Sequence, residues 1–172
     1  MNVKKLSLSG ICLATALFLP FLTGQIPNVG SMLCPMHLPV LLCGFLCGWP
    51  YGLAVGFIAP LLRFVLFGMP PLFPVGIAMA FELATYGACS GLFYRLLPKK
   101  NSMVYVSLLL AMLAGRIVWG LVQSVLLGFA KFTWGAFLAG AFVTALPGIV
   151  LQIVLIPLIL LSLRKAKLIT ND

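Results

Sequence analysis

Apolar residues fill this chain in long runs, and the polar positions fall mostly in the gaps between them. The runs predict six helices at about residues 6–23, 35–48, 51–67, 73–96, 103–128 and 135–163. The gaps hold residues that end helices. Gly24-Gln25-Ile26-Pro27-Asn28-Val29-Gly30-Ser31 is turn-rich and too polar to continue the first run. Trp49-Pro50 reads as a tight turn between the second and third, because proline lacks an N–H and restricts the residue before it. Gly68-Met69-Pro70-Pro71, with two prolines and a glycine, ends the third run at high helical cost otherwise. Pro98-Lys99-Lys100-Asn101 ends the fourth, and residues 129–134 separate the fifth from the sixth. The second and third runs are individually short, so one long kinked helix is the alternative, giving five spans.

Composition turns these runs into membrane spans. The 172 residues are 63% hydrophobic and 8% charged, with a mean hydropathy of +1.20, whereas about a quarter of an ordinary soluble domain is charged. A span takes about 20 apolar residues, so the chain is expected to be a single integral membrane domain over 1–172, an all-α compact bundle of six transmembrane helices with no room for a soluble domain. The start resembles a signal peptide, but Cys12 follows Ile11 and no small-residue cleavage site is evident, so an uncleaved first helix is expected.

Charge then sets an orientation. The net charge of +9 comes mostly from residues beside the runs: Lys4 and Lys5, then Arg95, Lys99 and Lys100, then Arg164, Lys165 and Lys167. With both termini cytoplasmic, these lie inside and only Lys131 lies outside, as the positive-inside bias requires. The basicity is a topology signal, and nucleic-acid binding is not expected. Small residues at helical spacing, Gly44, Gly48, Gly52 and Gly56, then Gly87 and Gly91, then Gly140, Thr144 and Gly148, allow close helix packing in lipid.

Three charges, Arg63, Glu82 and Arg116, fall inside apolar runs, where ionisable groups cost a few kcal/mol and are paired or functional. Arg116, Trp119 and Gln123 share one face of the fifth helix; Glu82 and Tyr86 form an i, i+4 pair on the fourth; Thr144, Gly148 and Gln152 make a stripe on the sixth. These stripes are expected to converge on a cavity suited to a small polar or heteroaromatic solute, with Trp119 stacking on a flat ring. The plain alternative is that Glu82 neutralises Arg63 or Arg116 and the charges only staple helices. His37, in Cys34-Pro35-Met36-His37-Leu38-Pro39, would bond a substrate or the loop; Asn28 and Trp134 sit in the outer loops as further candidate contacts.

Enzymatic signatures are missing. Glu82 and Asp172 are the only acids, no phosphate loop or dinucleotide fingerprint is visible, and a Cys–His nucleophile lacks an orienting partner. With one histidine and no set of four converging ligands, a metal site is not expected, and no cofactor is. The five cysteines are scattered and do not form a disulfide framework.

The chain resembles the substrate-binding S component of an energy-coupling factor (ECF) vitamin transporter. The resemblance rests on the six short runs, the first outer loop followed by Pro35-Met36-His37-Leu38-Pro39-Val40-Leu41-Leu42-Cys43-Gly44, the Gly68-Met69-Pro70-Pro71-Leu72-Phe73-Pro74 segment, Gly115-Arg116-Ile117-Val118-Trp119-Gly120 and Pro147-Gly148-Ile149-Val150-Leu151-Gln152. It implies a prokaryotic plasma-membrane protein that binds a micronutrient tightly from outside and works with a transmembrane coupling subunit and two cytoplasmic ATPases. Family members dock through an Ala-x-x-x-Ala pattern on the first helix; Gly10 and Ala14 hold those places. Metal-specific relatives carry a histidine after the initiator methionine, where this chain has Asn2. The stretches around His37 and Met69-Pro70-Pro71 are similar to members assigned to small N-heterocycles: dimethylbenzimidazole or its riboside, hydroxymethylpyrimidine, or pyridoxine. An anionic vitamin such as pantothenate or niacin would instead recruit Arg63 or Arg116. An assembly protein and an autonomous carrier are the other readings, the latter without the related halves inverted-repeat carriers have.

Overall fold

The computed structural model describes residues 3–24, 32–98, 100–128 and 133–165. All regular structure among them is helical: α1 (Val3–Gly24), α2 (His37–Cys47), α3 (Trp49–Phe67), α4 (Ile77–Leu96), α5 (Asn101–Leu127), α6 (Trp134–Leu138) and α7 (Leu146–Lys165). Wider π-type turns lie before α4 at Leu72–Gly76 and after α6 at Ala139–Val143. Five segments are long and apolar enough to cross a membrane: Val3–Leu22, Trp49–Phe67, Leu72–Leu96, Asn101–Leu127 and Leu146–Lys165. The helix α2 is the exception. Its 11 residues reach about 17 Å at 1.5 Å per residue, against roughly 30 Å of hydrocarbon.

The helix α2 begins late because Pro39 falls in its first turn, where a missing N–H leaves no bond unmade. It ends at Gly48, whose φ of 96° only glycine adopts readily. The break was expected at Trp49-Pro50; instead those residues open α3, with Pro50 in the first turn. The chain doubles back there. Going along α4, His37 of α2 lies at Glu82 and Gly44 at Gly87, while Gly52 of α3 lies at Gly87 and Gly56 at Leu83. So α2 runs parallel to α4 and α3 antiparallel to it, which makes α2 and α3 a hairpin and rules out one kinked helix.

Packing at this seam is backbone on backbone. A Cβ on Gly52 would collide with the Gly87 carbonyl, and a Cβ on Gly87 with the Gly52 carbonyl. Ser90 Oγ donates to the Leu41 carbonyl across the same seam at 3.3 Å. Without a hydrophobic drive between helices in lipid, such close approach is what holds them. Proline residues inside α1 (Pro20), α3 (Pro60) and α7 (Pro157) are accommodated within the helices, as neighbouring groups allow in membrane bundles.

The last run is not one helix over 135–163. It divides into α6, the turn at Ala139–Val143 and α7. Gly140 lies under the Trp119 ring, where a Cβ would crowd it, and Pro147 sits in the first turn of α7, where its lost N–H is tolerated. Thr144, expected in a polar stripe with Gly148 and Gln152, is exposed and donates to the Ala139 carbonyl at 2.9 Å, satisfying the turn instead.

At the other end α7 closes the bundle. Arg164 donates to Asn101 Oδ1 at 3.2 Å and to the Tyr94 hydroxyl, with its guanidinium 5.4 Å from the Tyr94 ring. Tyr94 in turn meets Phe45 edge-on at 5.3 Å. The start of α5 and the ends of α2, α4 and α7 therefore share one end, and Lys5 near Cys47 brings the start of α1 there too. Lys4, Lys5, Arg95, Lys100, Arg164 and Lys165 all belong to it. Lys99, Lys131 and Lys167 lie outside the described residues.

Candidate functional site

Near the opposite end, His37, Glu82, Tyr86 and Arg116 come together from α2, α4 and α5. Arg116 Nη1 lies 3.0 Å from Glu82 Oε1, and His37 Nε2 lies 3.5 Å from the same oxygen. The His37 and Tyr86 rings meet edge-on at 5.2 Å, and Gly115 gives Tyr86 its place, since a Cβ there would strike the ring. Cys34 reaches the Arg116 side chain by hydrogen bond. It sits at φ 47°, in the left-handed region that non-glycine residues use sparingly, and its carbonyl accepts from the His37 N–H at 3.1 Å.

Two buried amides lie further along α5 and on α7. Gln123 lies two turns beyond Arg116 on the same face of α5 and is buried. Gln152 is 1% exposed, one turn past Gly148, which rests on the carbonyls of Met32 and Leu33 beside Cys34.

This cluster is poorly satisfied. Among the described residues, the buried side-chain atoms without a hydrogen-bond partner are His37 Nδ1 and Nε2, Glu82 Oε1, Tyr86 Oη, Arg116 Nε, Gln123 Oε1, and Gln152 Oε1 and Nε2. The 3.0 Å Glu82–Arg116 contact is an ion pair that lacks hydrogen-bond alignment, which is why Oε1 remains in that set. An unmade bond at a buried polar atom costs about 1–3 kcal/mol, and most such atoms in native proteins are paired. Every one of these atoms belongs to a residue the sequence marked as a candidate contact.

Other candidates lie elsewhere. Arg63 is in the α1–α3 seam: Nη1 donates to the Leu17 carbonyl at 2.8 Å, and the guanidinium lies 4.9 Å from the Phe21 ring and 5.8 Å from Phe67. Glu82 is thus neutralised by Arg116, not by Arg63. Trp119 packs against Gly140 and, at 6.3 Å, Phe137. Trp134 is 72% exposed and stacks on Phe137 at 5.2 Å. Together with Ile117, Gly120, Leu121, Ser124 and Thr133 they line an apolar groove of about 250 Å³ on a neighbouring face of α5. That groove lacks the charges and unpaired atoms of the cluster. Asn28 lies outside the described residues. Gly10 and Ala14 lie on an exposed face of α1.

Sequence reading did not name Cys34 among the candidate contacts. Its signal was position: three residues before His37, it meets Arg116 because the intervening turn folds back. No group of three or more His, Cys, Asp or Glu side chains able to hold a metal occurs among the described residues.

Five helical segments long and apolar enough to cross a membrane, with a buried polar cluster among them, are the arrangement of a multi-pass membrane protein. The family model for the ECF transporter substrate-specific component matches residues 4–160, and the chain belongs to that family. It is therefore a substrate-binding subunit of a membrane transporter and not an enzyme. No match was found among curated proteins or among solved structures.

Proposed function

We propose that this chain captures a small water-soluble vitamin or vitamin precursor of the N-heterocycle class, in the manner of dimethylbenzimidazole or its riboside, hydroxymethylpyrimidine or pyridoxine, at the cluster of His37, Glu82, Tyr86, Arg116, Gln123 and Gln152. The carrying observation is the set of buried donors and acceptors without partners on α2, α4, α5 and α7. A ring with polar edges would complete those bonds, and Trp119, about one turn beyond Arg116 on α5, would close one face of it. A pure helix staple accounts for the Glu82–Arg116 pair but leaves both amides unexplained.

Transport then needs a coupling subunit and two ATPases on other chains. The exposed Gly10 and Ala14 face of α1 supports docking there, because nothing among the described residues lies within 4 Å of a Cβ at Gly10. Six passes with cytoplasmic termini follow if α2, together with the segment before it, counts as a short pass; the single basic end supports that orientation. Cysteines introduced at Lys100 and at Gly68 test it: in intact cells a membrane-impermeant maleimide should label the second and not the first, and the reverse pattern would overturn the orientation.

The binding reading is tested by calorimetry of the purified protein against a vitamin panel. One member should bind saturably at one site, and Glu82→Gln should weaken it about a hundredfold, near the 2–5 kcal/mol lost when a buried charge partner is truncated. A panel without saturable binding would count against it.

A further inference from the structure

The charge balance of the cluster points to a selection rule for the ligand, and this inference rests on the binding reading above. Away from the basic end, the charged side chains of the described helices are Arg63, Glu82 and Arg116. Arg63 is occupied in the α1–α3 seam. The cluster therefore holds one guanidinium, which keeps its proton in proteins, against one carboxylate 3.0 Å away. His37, 3% exposed, sets a ring nitrogen 3.5 Å from the same carboxylate oxygen.

We infer that the site selects a ligand of zero net charge, and that Glu82 is the residue that sets this selection by cancelling Arg116. The unpaired atoms agree. Arg116 Nε and Tyr86 Oη donate, Glu82 Oε1 and Gln123 Oε1 accept, and Gln152 offers both. Such a wall suits a neutral ring carrying donors on one edge and acceptors on another. A carboxylate or phosphate ligand would compete with Glu82 for a single guanidinium, which Cys34 also engages. One negative charge would be left without a counterion at low dielectric. A cation would meet a carboxylate already neutralised.

The test uses matched pairs that differ in charge: nicotinamide and nicotinate, pyridoxine and its phosphate ester, hydroxymethylpyrimidine and its phosphate ester, dimethylbenzimidazole riboside and its phosphate ester. Calorimetry on the purified full chain should show the neutral member of the binding pair favoured by about a hundredfold or more, the scale of an uncompensated charge at membrane depth. In Glu82→Gln the guanidinium is uncancelled, so the preference should shift toward the anionic member by at least about tenfold. Equal or tighter binding of the anionic member by the wild type would overturn the selection rule while leaving the binding reading intact. Failure of every pair to bind would remove the binding reading and this rule with it. Should Glu82→Gln not fold, the wild-type ratios decide alone.

Discussion

At the scale of the residue, the two arginines of the apolar runs illustrate how far spacing carries. Arg116 shares its face with Gln123, and that face is buried against Glu82 and Tyr86, as the i, i+3, i+7 pattern implied. Arg63 had no polar neighbour on its own helix to assign it, and its partner proved to be a main-chain carbonyl of α1, which no side-chain pattern can reveal. The two should separate in experiment. Arg63→Ala removes one hydrogen bond, worth about 1 kcal/mol, and cation–π contacts worth about 0.5–1 kcal/mol at exposed sites. It should lower thermal stability measurably in detergent while ligand affinity stays within about threefold, under 1 kcal/mol on the affinity scale. A large loss of affinity with unchanged stability would return Arg63 to the site.

At the scale of the element, helix existence was legible and helix ends were less so. Long apolar stretches bounded by Pro-Pro or Pro-Lys-Lys leave little freedom, and α1, α3, α4 and α5 lie in those stretches, although α1 starts at Val3 rather than 6 and α4 at Ile77 rather than 73, after the turn at Leu72–Gly76. The hairpin turn moved by one residue because Gly48, not Pro50, carries the φ that reverses the chain. The final run broke because Gly140 must lie under Trp119, a tertiary contact that periodicity does not contain. The small-residue spacing did announce the α2–α3–α4 seam. Gly87→Ala tests it: its Cβ meets the Gly52 backbone, which has no rotamer to yield. The substitution should destabilise the protein by about 1–3 kcal/mol or more, as overpacking does, read as a fall in melting temperature. An unchanged melting temperature would mean the helices are not in backbone contact there.

At the scale of the whole molecule, the polar cluster and the basic end lie at opposite ends of one bundle, which under the proposed function are the binding end and the end facing the energising partners. The basic end was legible from charge placement alone. The meeting of Glu82 with Arg116 was among the pairings the sequence offered, whereas the part played by Cys34 and the exclusion of Thr144 needed the folded chain. The central claim is that the buried amides are kept for a ligand at a cost to the fold. Melting of Gln152→Leu, with and without the panel member that binds the wild type, tests it most directly. Replacing two unpaired polar atoms by a similar apolar volume is neutral or stabilising, so the ligand-free variant should melt at or above the wild-type temperature. The stabilisation that ligand gives by mass action should then largely vanish. A lower melting point with the ligand-induced shift intact would make Gln152 a structural staple and contradict the account.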